Sequence, residues 1–311
     1  MQSTNQPQET LDGNPFLLEN DGAYRRWRAL KLSSAEKSAA DLIVPVRDVE
    51  NISAEEHNAL LIRLRQCNMA IYQCERPETV GKDQIRQFGK QLGLHRLDPN
   101  MLADDDGITS LQTEARKSDR GYIPYSDKRL LWHTDGYYNP PERKIRAMLL
   151  HCAQNAVEGG ENEVLDHELV YLLMRDANPD FISALMAPGA MTIPANVEPG
   201  GEVRPAQSGP VFSLEPSTGD LHMRYTARTR SIEWKADALT RQAVEFLQSI
   251  LADNNYVIRH RMQPGQGLVC NNVLHNRTAF RDDAQSGKSR LVYRARYYDR
   301  IADTHWYQLG N

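Results

Sequence analysis

Apolar residues recur at helical spacing in three stretches of the chain. Leu60, Leu61 and Leu64 share one face of a segment that opens on Ser53-Ala54-Glu55-Glu56. That opening is a capping box, with Ser53 as the N-cap and Glu56 reaching back to it. Ile85, Phe88 and Leu92 mark a second helix over about 82–93, with Gly93 as its stop signal. Leu239, Ala243, Phe246, Leu247 and Ile250 mark a third over 237–252. A short apolar run, Met69-Ala70-Ile71-Tyr72, has the length of a strand, so the N-terminal third reads helix, strand, helix.

Most of the remainder carries the period of strands. Leu130-Leu131-Trp132 leads into His133, and Ile145 to Cys152 is an apolar run bounded by charge. Tyr256, Ile258, His260 and Met262 alternate with mostly polar neighbours, the mark of a half-buried strand. Pro264-Gly265-Gln266-Gly267 reads as a turn before a strand at Leu268-Val269-Cys270. Residues 187–220 are rich in Pro and Gly without periodicity, which predicts a long excursion or lid. Residues 1–20 read as a polar, flexible tail, and 21–311 as a single domain. Many short strands with flanking helices predict a mainly β fold, a sandwich or jelly roll.

Composition narrows the class without naming a chemistry. The 311 residues are 40% hydrophobic and 25% charged, enough to bury a large core without disulfides. Basic and acidic residues number 37 and 41, a net of −4, and are interspersed. The basic footprint of a nucleic-acid binder is missing. No apolar run approaches the roughly 18–20 residues that span a bilayer. The first 20 residues hold no Lys or Arg, against a secretory or mitochondrial leader. Cys67, Cys74, Cys152 and Cys270 show no zinc-type spacing. These features predict a cytoplasmic protein with neither membrane nor nucleic-acid partner and leave a homo-oligomer open.

Chemistry concentrates at a few positions. His133-Thr134-Asp135 ends an apolar strand, and at strand spacing its imidazole and carboxylate project together. With a third ligand from another strand they could occupy one face of an octahedral metal, as in non-haem Fe(II) oxygenases. An isolated His-x-Asp is also a common surface pair or core histidine. His275 follows in Asn271-Asn272-Val273-Leu274-His275-Asn276-Arg277. Arg290, Arg294 and Arg296 then share one side of a strand by parity. Inward guanidinium groups are costly unless they meet anions, and a carboxylate is the natural partner.

Together, Trp132-His133-Thr134-Asp135-Gly136, the Asn272–Arg277 segment with Phe280, and the Arg290 strand resemble the taurine dioxygenase/2,4-D dioxygenase (TauD/TfdA) family. The resemblance runs from about residue 40 to 300. It implies a double-stranded β-helix with His133, Asp135 and His275 as iron ligands and as the catalytic centre. It implies Arg290 on the distal carboxylate of 2-oxoglutarate. Gly159-Gly160-Glu161-Asn162 is similar to the family's Gly-Gly-acid-Thr turn, with Asn162 in place of the Thr that helps hold that carboxylate. The implied cofactors are Fe(II), 2-oxoglutarate as cosubstrate, and O2. The implied reaction is hydroxylation of a small molecule with release of succinate and CO2. Asp135 is present, whereas the family's halogenating relatives lack the metal carboxylate.

Substrate contacts are expected from Tyr137 and Tyr138, and from Arg294 at the offset where sulfonate-binding members carry an Arg, the alternative for Arg294 being a pair with an acidic lid residue. An anionic or zwitterionic small molecule follows. Arg224, Arg228 and Arg230 form a second basic cluster, expected on a solvated strand edge with a place facing the cavity as the alternative, and Tyr122 and Tyr125 are expected in a loop over the site or in ordinary packing. His95, His151, His167, His222 and His260 are expected in structural roles. A non-catalytic metal-binding or sensing jelly roll and a zinc hydrolase on the same triad are the competing readings.

Overall fold

Ten strands form the two larger sheets: β1 (Ile43–Val46), β2 (Met69–Cys74), β3 (Thr109–Leu111), β4 (Leu130–His133), β5 (Ala147–Gln154), β6 (Asn162–Leu165), β7 (Ile258–His260), β8 (Gln266–Cys270), β9 (Leu274–Arg277) and β10 (Leu291–Tyr297). The computed structural model describes residues 13–310 except 37, 100–106, 114–122, 199–200, 230–231, 284, 286 and 288, with backbone alone at 198 and 201–203. The first sheet runs β1-β2-β8-β5-β10-β3 and the second β7-β6-β9-β4. All their pairings are antiparallel except β1 with β2.

Alternation along the first sheet builds two cores at once. Met69, Ile71, Met148, Leu150, Cys152, Leu268, Cys270 and Val292 face the second sheet, where they meet Val164, Ile258 and Val273. Their neighbours Ala70, Tyr72, Ala147, Leu149, Val269, Ala295 and Tyr297 face outward, onto helices α3 (Ala54–Cys67) and α4 (Lys82–Gln91). These helices follow α1 (Asp21–Ser33) and the single turn α2 (Ala39–Leu42). The predicted faces are the buried ones: Leu60, Leu61 and Leu64 on α3, Ile85 and Phe88 on α4. The capping box is made as read, Glu56 N donating to Ser53 Oγ at 3.2 Å and Ser53 N to Glu56 Oε2 at 2.7 Å.

A third core joins the outer side of the second sheet to helices α5 (His167–Ala177), α6 (Pro179–Met186) and α7 (Ala238–Ala252). Phe16, Trp27 and Phe212 complete it. Here the structure corrects the tail. Residues 1–12 lie outside the described residues, but Asn14 and Phe16 are fully buried. Phe16 packs edge-on against Trp27 and Tyr171, at 5.0 and 5.4 Å. Arg175 Nη1 donates to Pro15 O at 2.7 Å and Nη2 to Leu18 O at 3.2 Å. A single aromatic has no period to betray it; its burial is decided by Trp27 on the next helix and by Tyr171, 155 positions away.

The segment 187–220 forms short antiparallel pairs, and Ala190, Met191, Ile193, Val211 and Phe212 within it are core residues. The expected turn at 264–267 is shorter than read. Gly265 takes φ +84°, and Gln266 and Gly267 already belong to β8. Gly267 pairs with Tyr72, whose ring occupies the space of a Cβ; that atom would lie 2.1 Å from Tyr72 Cζ. Among the described residues, no helix is long and apolar enough to cross a membrane.

Candidate metal centre

Strands β4 and β9 are neighbours, and their register sets His133 opposite His275. Directly facing residues of an antiparallel pair are in side-chain contact; here the imidazole centroids are 4.2 Å apart. Asp135 lies just past the end of β4, on a turn where Gly136 takes φ +68°. A Cβ at Gly136 would fall 2.4 Å from Ile145 Cγ1, so the turn needs glycine both for conformation and for room. One ligand atom from each of His133, Asp135 and His275 therefore lies within 4.8 Å of the others, on three buried residues.

Their hydrogen bonds leave the right atoms free. His133 Nδ1 contacts Leu131 O, and His275 Nδ1 contacts Val273 O, each at 2.9 Å. A carbonyl partner fixes the proton on Nδ1 and presents the Nε2 lone pair. Burial, and then the charge of His275, lowers His133 to about 3, and burial lowers His275 as well. Both rings are thus neutral at pH 7, as metal ligation requires. Burial pushes Asp135 upward, but the guanidinium groups of Arg294 and then Arg296 outweigh it and hold the carboxyl well below the usual range. Asp135 Oδ1 is 3.4 Å from Arg294 Nη1 and 4.0 Å from Arg296 Nη1, while Oδ2 has no hydrogen-bond partner. A buried, unpartnered carboxylate oxygen beside two imidazole lone pairs fits a divalent first-row ion with open positions.

Sequence reasoning passed over Asn272. Its Oδ1 accepts from Asp135 N at 2.8 Å, and its Nδ2 donates to Asp135 O at 3.0 Å and Ile145 O at 2.7 Å. The residue sits in left-handed backbone, φ +49°. Asn tolerates that conformation better than other side chains. The available signal was the Asn-Asn pair just ahead of β9.

A small cavity beside the triad is lined by His133, His275, Asn162, Arg277, Arg290 and Arg294. Arg290 is buried and its Nη1 has no partner. Asp282 accepts from its backbone N–H, not from the guanidinium. Asn162 does share this cavity, although its Nδ2 already donates to Asn276 O at 3.1 Å and its Oδ1 is unpartnered. Arg277 also went unassigned; Nη2 donates to Ser126 O at 2.8 Å and to Lys128 O, tying down the loop after Tyr125. Tyr125 itself is inter-sheet core, and Tyr122 lies outside the described residues.

The three inward arginines of the β10 segment find different company. Arg296 pairs with Asp98 and donates to Tyr138 Oη at 2.9 Å, Arg294 pairs with Asp135, and Arg290 faces the cavity. Tyr137 stands edge-on to His133 at 6.4 Å, and Tyr138 edge-on to Tyr137 at 5.1 Å. Arg224 is not on a solvated edge. Its Nε donates to Tyr137 O and its Nη2 to Met191 O and Gln207 O, because the paired strands at 191–193 and 207–209 lie against it. Arg230 lies outside the described residues. His151 is structural, buried with its ring stacked near Tyr72 and Tyr293. His167 meets Leu221 O, and His260 meets Gln266 Oε1.

Residues 44–296 match the family described as "Taurine catabolism dioxygenase TauD, TfdA family". A uridine-5'-phosphate dioxygenase from Amycolatopsis sp is 30% identical over 171 residues, which span 52% of this chain and 60% of that relative. The match thus covers less than two thirds of the relative's length. The structure of asparagine oxygenase with Fe(II), 2S,3S-3-hydroxyasparagine and succinate aligns at TM-score 0.54 and 15% identity, covering 88% of this chain and 91% of that one. The non-heme iron oxygenase OrfP with Fe, succinate and (3S)-hydroxy-L-Arg aligns at 0.59 and 14% identity, covering 87% and 90%. At such identities the likeness is one of fold, the double-stranded β-helix.

Proposed function

The chain belongs to the TauD/TfdA family of Fe(II)- and 2-oxoglutarate-dependent dioxygenases, and from that premise we propose that it hydroxylates an unactivated C–H bond of a small anionic molecule. Bound iron, 2-oxoglutarate and O2 together supply the oxidising power, with succinate and CO2 as the accompanying products. The observation that carries the reading is the buried triad whose Asp135 Oδ2 lacks any partner.

His133, Asp135 and His275 are the proposed metal ligands. The backbone carbonyls of Leu131 and Val273 hold the two imidazoles in one tautomer and one orientation. Arg294 and Arg296 keep Asp135 ionised without covering its second oxygen. Arg290 is the proposed partner of the distal carboxylate of 2-oxoglutarate, on the strength of its buried, unpartnered Nη1. Asn162 shares the cavity and offers its remaining amide hydrogen. Tyr137 and Tyr138 are proposed to wall the substrate beside His133, with Arg294 between substrate and cosubstrate. The name of the Amycolatopsis relative, a uridine-5'-phosphate dioxygenase, makes a nucleoside 5'-phosphate the first anion to try. A reducing, cytoplasmic setting is in keeping with the four unpaired, buried cysteines.

Anaerobic addition of Fe(II) and 2-oxoglutarate tests the reading. A visible charge-transfer band of the chelate, and succinate once air is admitted, are expected. Absence of both refutes it, as would full turnover in His133→Ala or Asp135→Ala.

A further inference from the structure

Beside the tyrosine pair stand three guanidinium groups that no carboxylate of a described residue neutralises. Segment 224–228 runs along the end of β4: Thr226 bridges His133, Thr134 N donates to Tyr225 O at 3.0 Å, and Ala227 N donates to Trp132 O at 2.8 Å. The bridge brings Arg224 and Arg228 close to the metal centre, one on each side of Thr226. Arg224 spends its hydrogens on the carbonyls of Tyr137, Met191 and Gln207, at 2.8, 3.1 and 2.9 Å. It lies over Gly209, where a Cβ would fall 2.6 Å from its Nη1. Arg224 is therefore a strut that fixes Tyr137 to the neighbouring hairpins.

The other two keep hydrogens to offer. Arg204 stands 5.9 Å from the Tyr138 ring and donates to Pro205 O at 3.0 Å and Pro194 O at 2.7 Å. A guanidinium has five N–H donors in a fork that matches oxyanions, so most remain. Arg228 places its charge beside the Tyr137 hydroxyl, where it counteracts the upward push of burial on that phenol. Burial, and then the charge of Arg204, lowers Arg224 to about 10, so those two cations repel. The arginines nearer the triad differ, for Arg294 and Arg296 each have an acid. Partly buried like charges gathered without a counter-charge among the described residues, in a chain of net −4, call for an anion from outside.

We propose that Arg204 and Arg228, set by the Arg224 strut, form a phosphate subsite for a phosphomonoester substrate, with Tyr137 and Tyr138 between it and the metal centre. A phosphomonoester carries about −1.5 to −2 charges and three acceptor oxygens, enough for two guanidinium forks. A single carboxylate would leave one fork unused. The inference rests on the dioxygenase reading and adds which end of the substrate is gripped, and by what.

The test is calorimetric titration of the anaerobic protein, loaded with Fe(II) and 2-oxoglutarate, with uridine 5'-phosphate, uridine and inorganic phosphate. Expected are at least tenfold tighter binding of the phosphorylated nucleoside than of uridine, or binding of inorganic phosphate alone. Either is lost in the Arg204→Ala/Arg228→Ala double variant and partly kept in Arg228→Lys. The chelate band of the double variant, at the wild-type 2-oxoglutarate dependence, certifies its fold. No phosphate-dependent binding in the wild type, or its survival in the double variant, overturns the subsite. A wild-type protein without the chelate band refutes the dioxygenase reading instead, and the phosphate titrations then decide the subsite on metal-free protein.

Discussion

Replacing Asn272 with alanine removes three buried hydrogen bonds at once, two of them to the backbone of Asp135. Each such bond contributes about 1 kcal/mol net, and stranding a buried partner costs about 1–3 kcal/mol. Alanine also resists the φ of +49° held here, at roughly 1 kcal/mol. The expected loss is about 4 kcal/mol, a large part of an ordinary domain's ~5–15 kcal/mol. Urea unfolding of the metal-free protein measures it. Asn272→Gly separates the causes: glycine accepts the backbone conformation, so it reports the hydrogen bonds without the strain. The clamp also aims Asp135, so both variants should weaken Fe(II) binding about 10–100-fold in chelator competition. A loss below about 1 kcal/mol would refute the hydrogen-bond reasoning. Full destabilisation with unchanged metal affinity would make Asn272 a residue of the fold alone.

Other consequences can be measured separately. Arg290→Ala should raise the 2-oxoglutarate concentration for half-formation of the chelate band at least tenfold, because a charged hydrogen bond is worth about 1.5–3 kcal/mol; an unchanged midpoint refutes its role. Lys31 is fully buried between Asp166 and Glu168, at 2.6 Å from each. Lys31→Met should lose about 3–5 kcal/mol in urea unfolding, a deficit that shrinks on acidification as a proton replaces the missing cation. Burial lowers His151 to about 4, against an ordinary value near 6.5. Its contribution to stability is therefore complete above pH 6.5 and disappears as pH falls toward 4, by about 3 kcal/mol. His151→Leu should flatten the pH dependence of Tm across that window by one proton's worth; an unaltered slope would show that His151 does not carry it.

What was legible in the chain is what local chemistry determines. The capping box and the faces of α3, α4 and α7 each need only neighbours within one turn or two, whereas the metal ligands come from two strands and are legible only through the resemblance to a family. Helices α1, α2, α5 and α6 are not marked by the pattern, and for two of them the reason is physical. Helix α5 buries His167, Glu168, Tyr171 and Arg175 along with its aliphatic residues, so residue type alone does not mark its buried face. Helix α1 hides Lys31 beside Tyr24 and Trp27, and a lysine reads as surface until its two acids, 135 and 137 positions later, are in place. The site divides the same way. Parity alone puts Arg290, Arg294 and Arg296 on one side of their strand and leaves an inward and a solvated face both open; that side is buried, and their partners are not readable from the chain. Asp98 comes from a connection before β3, and Asp135 takes Arg294 as a partner only once β10 and the β4 turn are folded together.

The metal centre depends on one pairing register more than on any single contact. His275 opposes His133, and a slip of one residue between β9 and β4 would turn one imidazole to the opposite face of its sheet. The pairing is itself irregular between His275 and Arg277, so the ladder alone cannot guard the register. Two devices beyond the ladder pin it. Asn272, just before β9, is bonded through its side chain to the backbone of Asp135, just after β4. At the other end Arg277 is bonded to the carbonyls of Ser126 and Lys128, just before β4. The two strands are thus tied across both ends of the His133–His275 pair by side chains that do not touch the ligand atoms. Tight metal geometry in a short, irregular hairpin-like pairing is then a consequence of these ties, and loosening either should be felt at the metal before it is felt in the rest of the fold.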